Sequence, residues 1–145
     1  MKQWILVGMV LTAPAMLGAE DLDPDKFYPG KGVGPVDTVV LADTIDPVLA
    51  KKGAEAFKLK CSACHQMDQR IVGPPLRGVT KRRRPEWIMN MILNPGEMLQ
   101  QDPMARKLLS LYYVPMTPQN PTMEEARALL EYFRQVDAET EKGTD

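Results

Sequence analysis

The chain has 145 residues, 44% of them hydrophobic and 26% charged, and its formal net charge is −1. A chain of this length forms one domain of ordinary size, and its slightly acidic balance gives no support for binding nucleic acid. Two cysteines and a single histidine cannot by themselves supply the four ligands of a structural zinc site.

Residues 1–19 have the pattern of a secretory signal peptide. Lys2 provides a positive start, residues 4–11 form an apolar run, and Ala19 ends a stretch of small residues. We therefore expect cleavage after Ala19, a periplasmic protein and no membrane span in the mature chain. The alternative is an uncleaved N-terminal anchor, for which the apolar run is shorter than the roughly 20 residues that a span needs.

Residues 20–45 have the composition of an extended segment. They are rich in Asp, Pro and Gly and show no sustained period, which predicts an extended acidic arm or linker. One domain is predicted over residues 46–138, followed by a C-terminal tail over residues 139–145. Charge is uneven, because residues 51–107 carry twelve Lys or Arg against five Asp or Glu, which favours an acidic partner for this block.

Three helices are predicted to begin at a proline, where the missing N–H group has no intrahelical partner in any case. The first extends from Pro47 to about Lys60. Pro85 begins the second, PEWIMNMIL, which is apolar nearly all round and therefore buried. Pro103, after Asp102, begins the third, DPMARKLLSLYY.

The fourth predicted helix has a different start signal. Thr122 and Glu125 have the spacing of a capping box, and apolar residues follow them at helical intervals. The sequence contains no convincing alternating strand, so the predicted fold class is all-α.

The stretch CSACH, residues 61–65, contains both cysteines and the only histidine of the chain. Residues three and four positions apart share one face of a helical turn, so Cys61 and Cys64 can reach the two vinyl groups of a haem. His65 can then turn its imidazole toward the iron. The motif C-x-x-C-H is typical of covalent c-type haem attachment, which fits an exported chain.

Three other interpretations of CSACH are weaker. A thioredoxin-like dithiol needs a βαβ setting, whereas this sequence predicts helices. A zinc site needs further Cys or His ligands that the sequence lacks. A disulfide between Cys61 and Cys64 leaves the adjacent His65 without a role.

Met116 is the candidate for the second axial ligand of the iron. It lies outside any helical pattern, between Pro115 and Pro118, and closely spaced prolines favour a stiff extended loop that can hold a thioether in place. Met98 and Met104, near the ends of predicted segments, are the alternatives. Histidine and methionine together fill both axial positions, so a one-electron carrier is predicted rather than an enzyme such as a peroxidase. Other methionines are interpreted as packing or surface residues: Met89, Met91 and Met123.

Four motifs in a fixed order give the chain a resemblance to a known family. CSACH is followed by GPPLRGV, by a methionine in VPMTPQN and by the helical stretch EEARALLEYF. Over residues 47 to 136 the chain resembles a class I cytochrome c of the small monohaem bacterial type. The resemblance implies a cytochrome c-like helical fold around one haem c, bound covalently through Cys61 and Cys64. It does not cover residues 20–45.

The resemblance also implies roles for particular residues. The carbonyl of Pro74 is expected to accept a hydrogen bond from the His65 ring, and Met116 occupies the place of the family's distal ligand. The indole N–H of Trp87 is expected to bond a haem propionate, with simple core burial as the alternative. Gly53 is expected to allow a close approach between the first and last helices.

The densest basic run, Lys-Arg-Arg-Arg at residues 81–84, has three possible interpretations. Charge runs are ordinarily solvated loops. The same cations could contact the haem propionates, or they could form a docking rim for an acidic redox partner near the haem edge.

The predicted function is that of a monomeric periplasmic carrier of single electrons. It would connect a membrane donor, such as a quinol-oxidising complex, to a terminal reductase or oxidase. The resemblance extends to small cytochromes of anaerobic respiration, including nitrous oxide reduction. Two alternatives stay open: a gas-binding or sensing haem protein with an open distal site, and a fixed haem subunit of a larger redox complex.

Overall fold

The computed structural model describes residues 22–142, and the predicted signal peptide lies outside them. Within that range the chain forms six helices and no strand, apart from an isolated parallel bridge between Tyr28 and Arg83. The all-α prediction is therefore confirmed. No helix in residues 22–142 is both long enough and apolar enough to cross a bilayer. The helices are α1 Pro47–Lys60, α2 Val79–Arg82, α3 Pro85–Leu93, α4 Pro95–Gln101, α5 Pro103–Tyr112 and α6 Met123–Lys142.

The start signals in the sequence correspond to observed helix starts. The Asp46 side chain accepts hydrogen bonds from the backbone N–H groups of Val48 and Leu49, at 2.9 and 3.1 Å, and so caps α1. Before α6, Thr122 and Glu125 form the reciprocal capping box, with bonds of 3.1 and 2.8 Å. The short helices α2 and α4 were not predicted, because one or two turns leave too little periodicity to recognise.

Helices α1 and α6 cross at close range. A Cβ atom on Gly53 would collide with the backbone carbonyl of Ala128, so only glycine allows this approach. Phe57 fills the crossing, with its ring centroid 5.6 Å from that of Tyr132 and 6.1 Å from that of Phe133. The contact that the resemblance implied between the first and last helices is therefore present.

The arm that precedes α1 packs on α3 instead of connecting separate bodies. Asn90, which is 1% exposed, accepts a hydrogen bond from Val36 N at 2.9 Å and donates to Val36 O at 2.8 Å and Lys31 O at 3.1 Å. Val39 N donates to the buried carboxylate of Glu86 at 3.2 Å. The arm is extended as predicted, but the linker interpretation is wrong, since buried side chains of α3 satisfy its backbone.

The basic run at residues 81–84 also holds the arm. Arg83 is 3% exposed, and its guanidinium donates to the carbonyls of Pro24 and Lys26 at 2.8 and 3.0 Å. Tyr28 N donates to the carbonyl of Arg82 at 2.9 Å. The solvated-loop interpretation is therefore wrong for Arg83, and the same burial removes it from any docking rim.

Candidate functional site

A cavity of about 470 Å³ lies between the CSACH turn, α3, α5 and the loop that follows α5. Its walls are largely apolar. Helix α3 contributes Trp87, Ile88, Met91 and Ile92, and α5 contributes Leu108, Leu109, Leu111 and Tyr112. Such walls suit a large apolar group, because burial of its surface is favourable in proportion to the area removed from water.

The CSACH segment forms a tight turn directly after α1. The carbonyl of Cys61 accepts hydrogen bonds from the backbone N–H groups of Cys64 at 3.0 Å and His65 at 2.9 Å. Both cysteines are free thiols: Cys61 lines the cavity, while Cys64 is exposed and is not one of the lining residues. Burial raises the pKa of the Cys61 thiol to about 11, against the opposing effect of Lys60. The two sulfurs are not joined to each other, so the structure gives no support to the disulfide alternative.

The His65 ring is held in one orientation. Its Nδ1 lies 3.0 Å from the carbonyl oxygen of Pro74, which is the contact that the resemblance implied. Because a carbonyl only accepts, this bond requires the proton on Nδ1 and leaves the lone pair of Nε2 available to a metal. A Cβ atom on Gly73 would collide with the imidazole, so the glycine of GPPLRGV makes room for the ring.

Met116 lies in the loop between α5 and α6 and lines the cavity together with His65. Tyr113 and Asn120, on either side of Met116, have left-handed backbone conformations, with φ of 62° and 48°. The loop thus turns sharply near both ends, although neither residue is a glycine. This arrangement brings His65 and Met116, which are far apart in sequence, to one cavity.

The two alternative ligands, Met98 and Met104, lie away from the cavity, whereas Met91 lines it. Met98 is fully buried, and its sulfur accepts a hydrogen bond from Val33 N at 3.0 Å, so it binds the backbone of the arm. Met104 is 1% exposed, and neither it nor Met98 lines the cavity. Met91 does line it, which the interpretation of α3 as a packing helix overlooked. The sequence could have indicated this position, because Met91 follows Trp87 by four positions and therefore lies on the same face of α3.

Trp87 lines the cavity with its ring, but its N–H group is directed elsewhere. The indole Nε1 donates to the carboxylate of Asp102 at 3.0 Å, and Trp87 is only 4% exposed. The predicted bond to a propionate is therefore corrected: the single donor of an indole is already used. The alternative of core burial describes the residue better, while the ring remains part of the wall.

Several guanidinium groups also border the cavity. Arg82 is half-buried there, and its Nη1 donates to the carbonyl of Arg77 at 2.8 Å. Arg70 stacks over the Tyr112 ring at 4.4 Å from its centroid and remains exposed. Cations beside an apolar cavity suit a cofactor that is apolar over most of its surface and carries carboxylates.

The residues present fit a haem better than a bare metal ion. In the part of the chain that the structure describes, no group of three or more His, Cys, Asp or Glu side chains is placed to hold a metal. Two thiols on one turn, an oriented imidazole and a thioether instead match the attachment and axial ligation of haem c.

Comparisons with known proteins agree with this donor set. The cytochrome c family model matches residues 50–137. Cytochrome c-551 of Stutzerimonas stutzeri is 32% identical over 94 residues, which are 61% of this chain and 80% of that protein. A solved cytochrome c from Rhodothermus marinus is 47% identical, with a TM-score of 0.72 over 73% of this chain and 91% of its own. An engineered Rhodothermus cytochrome c bound to a carbene intermediate is also 47% identical and has a TM-score of 0.68, covering 72% of this chain and 91% of its own.

Proposed function

This chain belongs to the cytochrome c family, and we propose that it passes single electrons with His65 and Met116 as the axial ligands of one haem c. Haem c, attached through Cys61 and Cys64, supplies a one-electron iron couple when bound. The protein orients the ligands, excludes water with apolar walls and presents one edge of the cavity to a partner.

The orientation of His65 is the observation that carries the proposal. Its Nδ1 is fixed by the Pro74 carbonyl at 3.0 Å, so the ring cannot turn freely and Nε2 keeps its lone pair. A metal-bound histidine ordinarily gives its second N–H to such an acceptor, which fixes the ring and increases the basicity of the ligand.

Two thioethers line the cavity, and the structure favours Met116 over Met91 as the distal ligand. Met91 belongs to α3, where Ile88 and Ile92 line the same wall. Met116 lies outside any helix, in a loop with a proline before it and another two positions after it. Closely spaced prolines stiffen this loop, so it can hold the thioether against the iron at little entropic cost. We therefore assign ligation to Met116 and wall packing to Met91.

Two leucine substitutions test this assignment, since leucine conserves volume but cannot bind iron. Met116→Leu should lower the reduction potential and abolish the weak red absorption band of methionine-bound ferric haem. Met91→Leu is the matched control and should keep both. The reverse result would move the role to Met91, and unchanged spectra in both variants would refute His/Met ligation from this cavity.

Carbon monoxide separates the carrier from a second candidate, a gas-binding or sensing haem protein. That candidate is retained because a related engineered protein has been solved with a carbene intermediate bound. The reduced parent should show no spectral change under carbon monoxide, whereas reduced Met116→Leu should form an adduct at once. An immediate adduct in the parent would favour the gas-binding function.

The carrier is proposed to be exported by cleavage after residue 19 and to work in the periplasm between a membrane donor and a terminal reductase or oxidase, including one of nitrous oxide reduction.

Leu111 and Val114 line the cavity and are 39% and 52% exposed, so they form an apolar mouth beside Arg70. Docking there would be weak and brief. Arg70 and Arg82 border the same cavity, so electron transfer with an acidic partner should slow as the salt concentration rises; rates independent of salt would leave the apolar mouth as the only docking contact.

A further inference from the structure

A buried carboxylate lies behind the cavity wall, and the proposed function gives it no role. Asp102 is 3% exposed. Its Oδ1 accepts hydrogen bonds from Trp87 Nε1 at 3.0 Å and from Ala105 N at 2.8 Å, and its Oδ2 accepts one from the Tyr28 hydroxyl at 3.2 Å. Three donors converge on the two oxygens of one buried side chain. One side chain thus joins the arm, α3 and the first turn of α5.

A buried cation, Arg83, lies beside the same Trp87 ring that Asp102 contacts. The Arg83 guanidinium lies 5.4 Å from the centroid of the Trp87 ring, and both residues line the cavity while being less than 5% exposed. The charges of Asp102 and Arg83 are therefore screened by water less than surface charges are. Burial raises the pKa of Tyr28 to about 12, and Asp102 acts in the same direction, so the Tyr28 hydroxyl remains a donor at neutral pH.

We propose that Asp102 is a positioning residue that fixes the Trp87 wall and lowers the reduction potential of the haem, and that Tyr28 of the arm moderates this effect. The inference rests on the proposed function, since it concerns the potential of the bound haem. A buried negative charge behind the wall of the haem cavity favours the oxidised form, which carries one more positive charge than the reduced form. The Tyr28 hydroxyl draws charge from the carboxylate and so weakens this preference.

Asp102→Asn removes the charge while leaving an amide oxygen for Trp87 and Ala105. At a fixed mediator potential, the ratio of reduced to oxidised protein should rise about threefold to tenfold, as expected for one poorly screened buried charge behind the cavity wall. Tenfold corresponds to 59 mV for a one-electron couple. A potentiometric titration followed in the visible spectrum measures this directly.

Asp46→Asn is the matched control. Asp46 also caps a helix, accepting from Val48 N and Leu49 N, but it is exposed, so water screens its charge far more than that of Asp102. Both variants should keep their helix caps, because asparagine caps a helix about as well as aspartate, and only Asp102→Asn should shift the potential. An Asp102→Asn potential equal to that of Asp46→Asn would overturn the proposal and leave Asp102 as a cap alone.

Tyr28→Phe provides a second, independent measurement. It removes one donor from the carboxylate, so the reduced-to-oxidised ratio should fall by about twofold, opposite in sign to Asp102→Asn. If Asp102→Asn fails to fold, Tyr28→Phe decides alone, and an unchanged or raised potential would overturn the proposal. Failure of the proposed function has a different signature, because the parent itself would then lack the spectrum of His/Met ligation.

Discussion

The two sides of α3 are completed in different ways. Toward the arm, Asn90 and Glu86 present polar atoms that bond to the backbone of Val36 and Val39. Toward the cavity, Ile88 and other apolar side chains form a wall with few polar groups. Among the described residues, no buried side-chain nitrogen or oxygen lacks a hydrogen-bond partner. The polar groups on the arm side of α3 are thus satisfied by the protein itself, whereas the apolar side chains on the cavity side are buried by a cofactor.

This contrast separates two kinds of stability in one small domain. Contacts on the arm side are hydrogen bonds to buried atoms, which are costly to leave unmade. Contacts on the cavity side are apolar and depend on how much surface the haem covers. Variants of the two sides should therefore differ in what they change: those on the cavity side should alter haem binding, and those of the bonds between Asn90 and the arm should alter the fold while leaving the haem spectrum unchanged.

The largest effect is expected on the cavity side. Replacing Cys61 and Cys64 together by serine should eliminate covalent haem and lower the free energy of unfolding by about 5 kcal/mol, because apolar walls lose their partner. Intact mass and haem staining on a denaturing gel measure attachment. Ser62→Ala is the control within the same turn: this exposed side chain bonds only Lys58 O, so haem should be retained. Covalent haem in the double variant would contradict the attachment.

The α1–α6 crossing supports both sides of α3, so its disruption should have the second largest effect. Gly53→Ala places a Cβ against the carbonyl of Ala128, and we expect a loss of about 3 kcal/mol in the free energy of unfolding. Gly96→Ala in α4 is the matched control, since nothing lies within 4 Å of its added Cβ. It should stabilise the protein by about 0.5 to 1 kcal/mol. Denaturant unfolding measures both, and equal effects would contradict the close crossing.

On the arm side, Asn90→Ala should lower the free energy of unfolding by about 2 kcal/mol, because the backbone groups of Val36 lose their partners. Limited proteolysis should then cut the arm, while the visible spectrum of the haem stays unchanged. Asn94→Ala is the comparison, because Asn94 reaches the arm through one bond of 3.5 Å to Val33 O and should have little effect. A spectral change in Asn90→Ala would show that the two sides of α3 are not independent.

The smallest predicted effect concerns the junction between the arm and α1. Burial disfavours ionisation of Glu131, but the backbone N–H of Asp46 and the guanidinium groups of Arg127 and Arg134 outweigh it and hold its pKa below the usual range. Its stabilising effect is therefore complete above the unfolded pKa of about 4.3 and is lost as pH falls through the lower folded pKa. Glu131→Gln should be about 1 to 2 kcal/mol less stable than the parent at pH 7.

That difference between the parent and Glu131→Gln should narrow as the pH is lowered below about 4. Chemical unfolding midpoints at several pH values provide the measurement. A gap of constant size at every pH would indicate that shape, not charge, is what Glu131 contributes.

Features determined by neighbouring residues could be predicted from the sequence. The caps of α1 and α6 depend on side chains within three positions of the backbone groups they bind. The CSACH turn is equally local, whereas the contact between His65 and Pro74, nine positions apart, was implied by the family resemblance and not by the residues alone. The caps and the turn have recognisable patterns because the donor, the acceptor and the intervening chain are read together.

The remaining features depend on partners that one sequence does not pair. Arg83 meets the carbonyl of Pro24 across 59 positions, and a run of four basic residues resembles a solvated surface until those carbonyls are located. The indole of Trp87 needs one acceptor, and the sequence offers no way to choose between a propionate and Asp102. Met91 shows a third limit, because a residue on an apolar helix can face either the core or the cavity.

The path of the arm has a practical consequence. Pro24 and Asp25 line the same cavity as His65, so the described part of the chain begins at the redox end of the molecule. An affinity tag, a lipid tether or a fused enzyme joined directly ahead of residue 22 would therefore stand beside the route that electrons take.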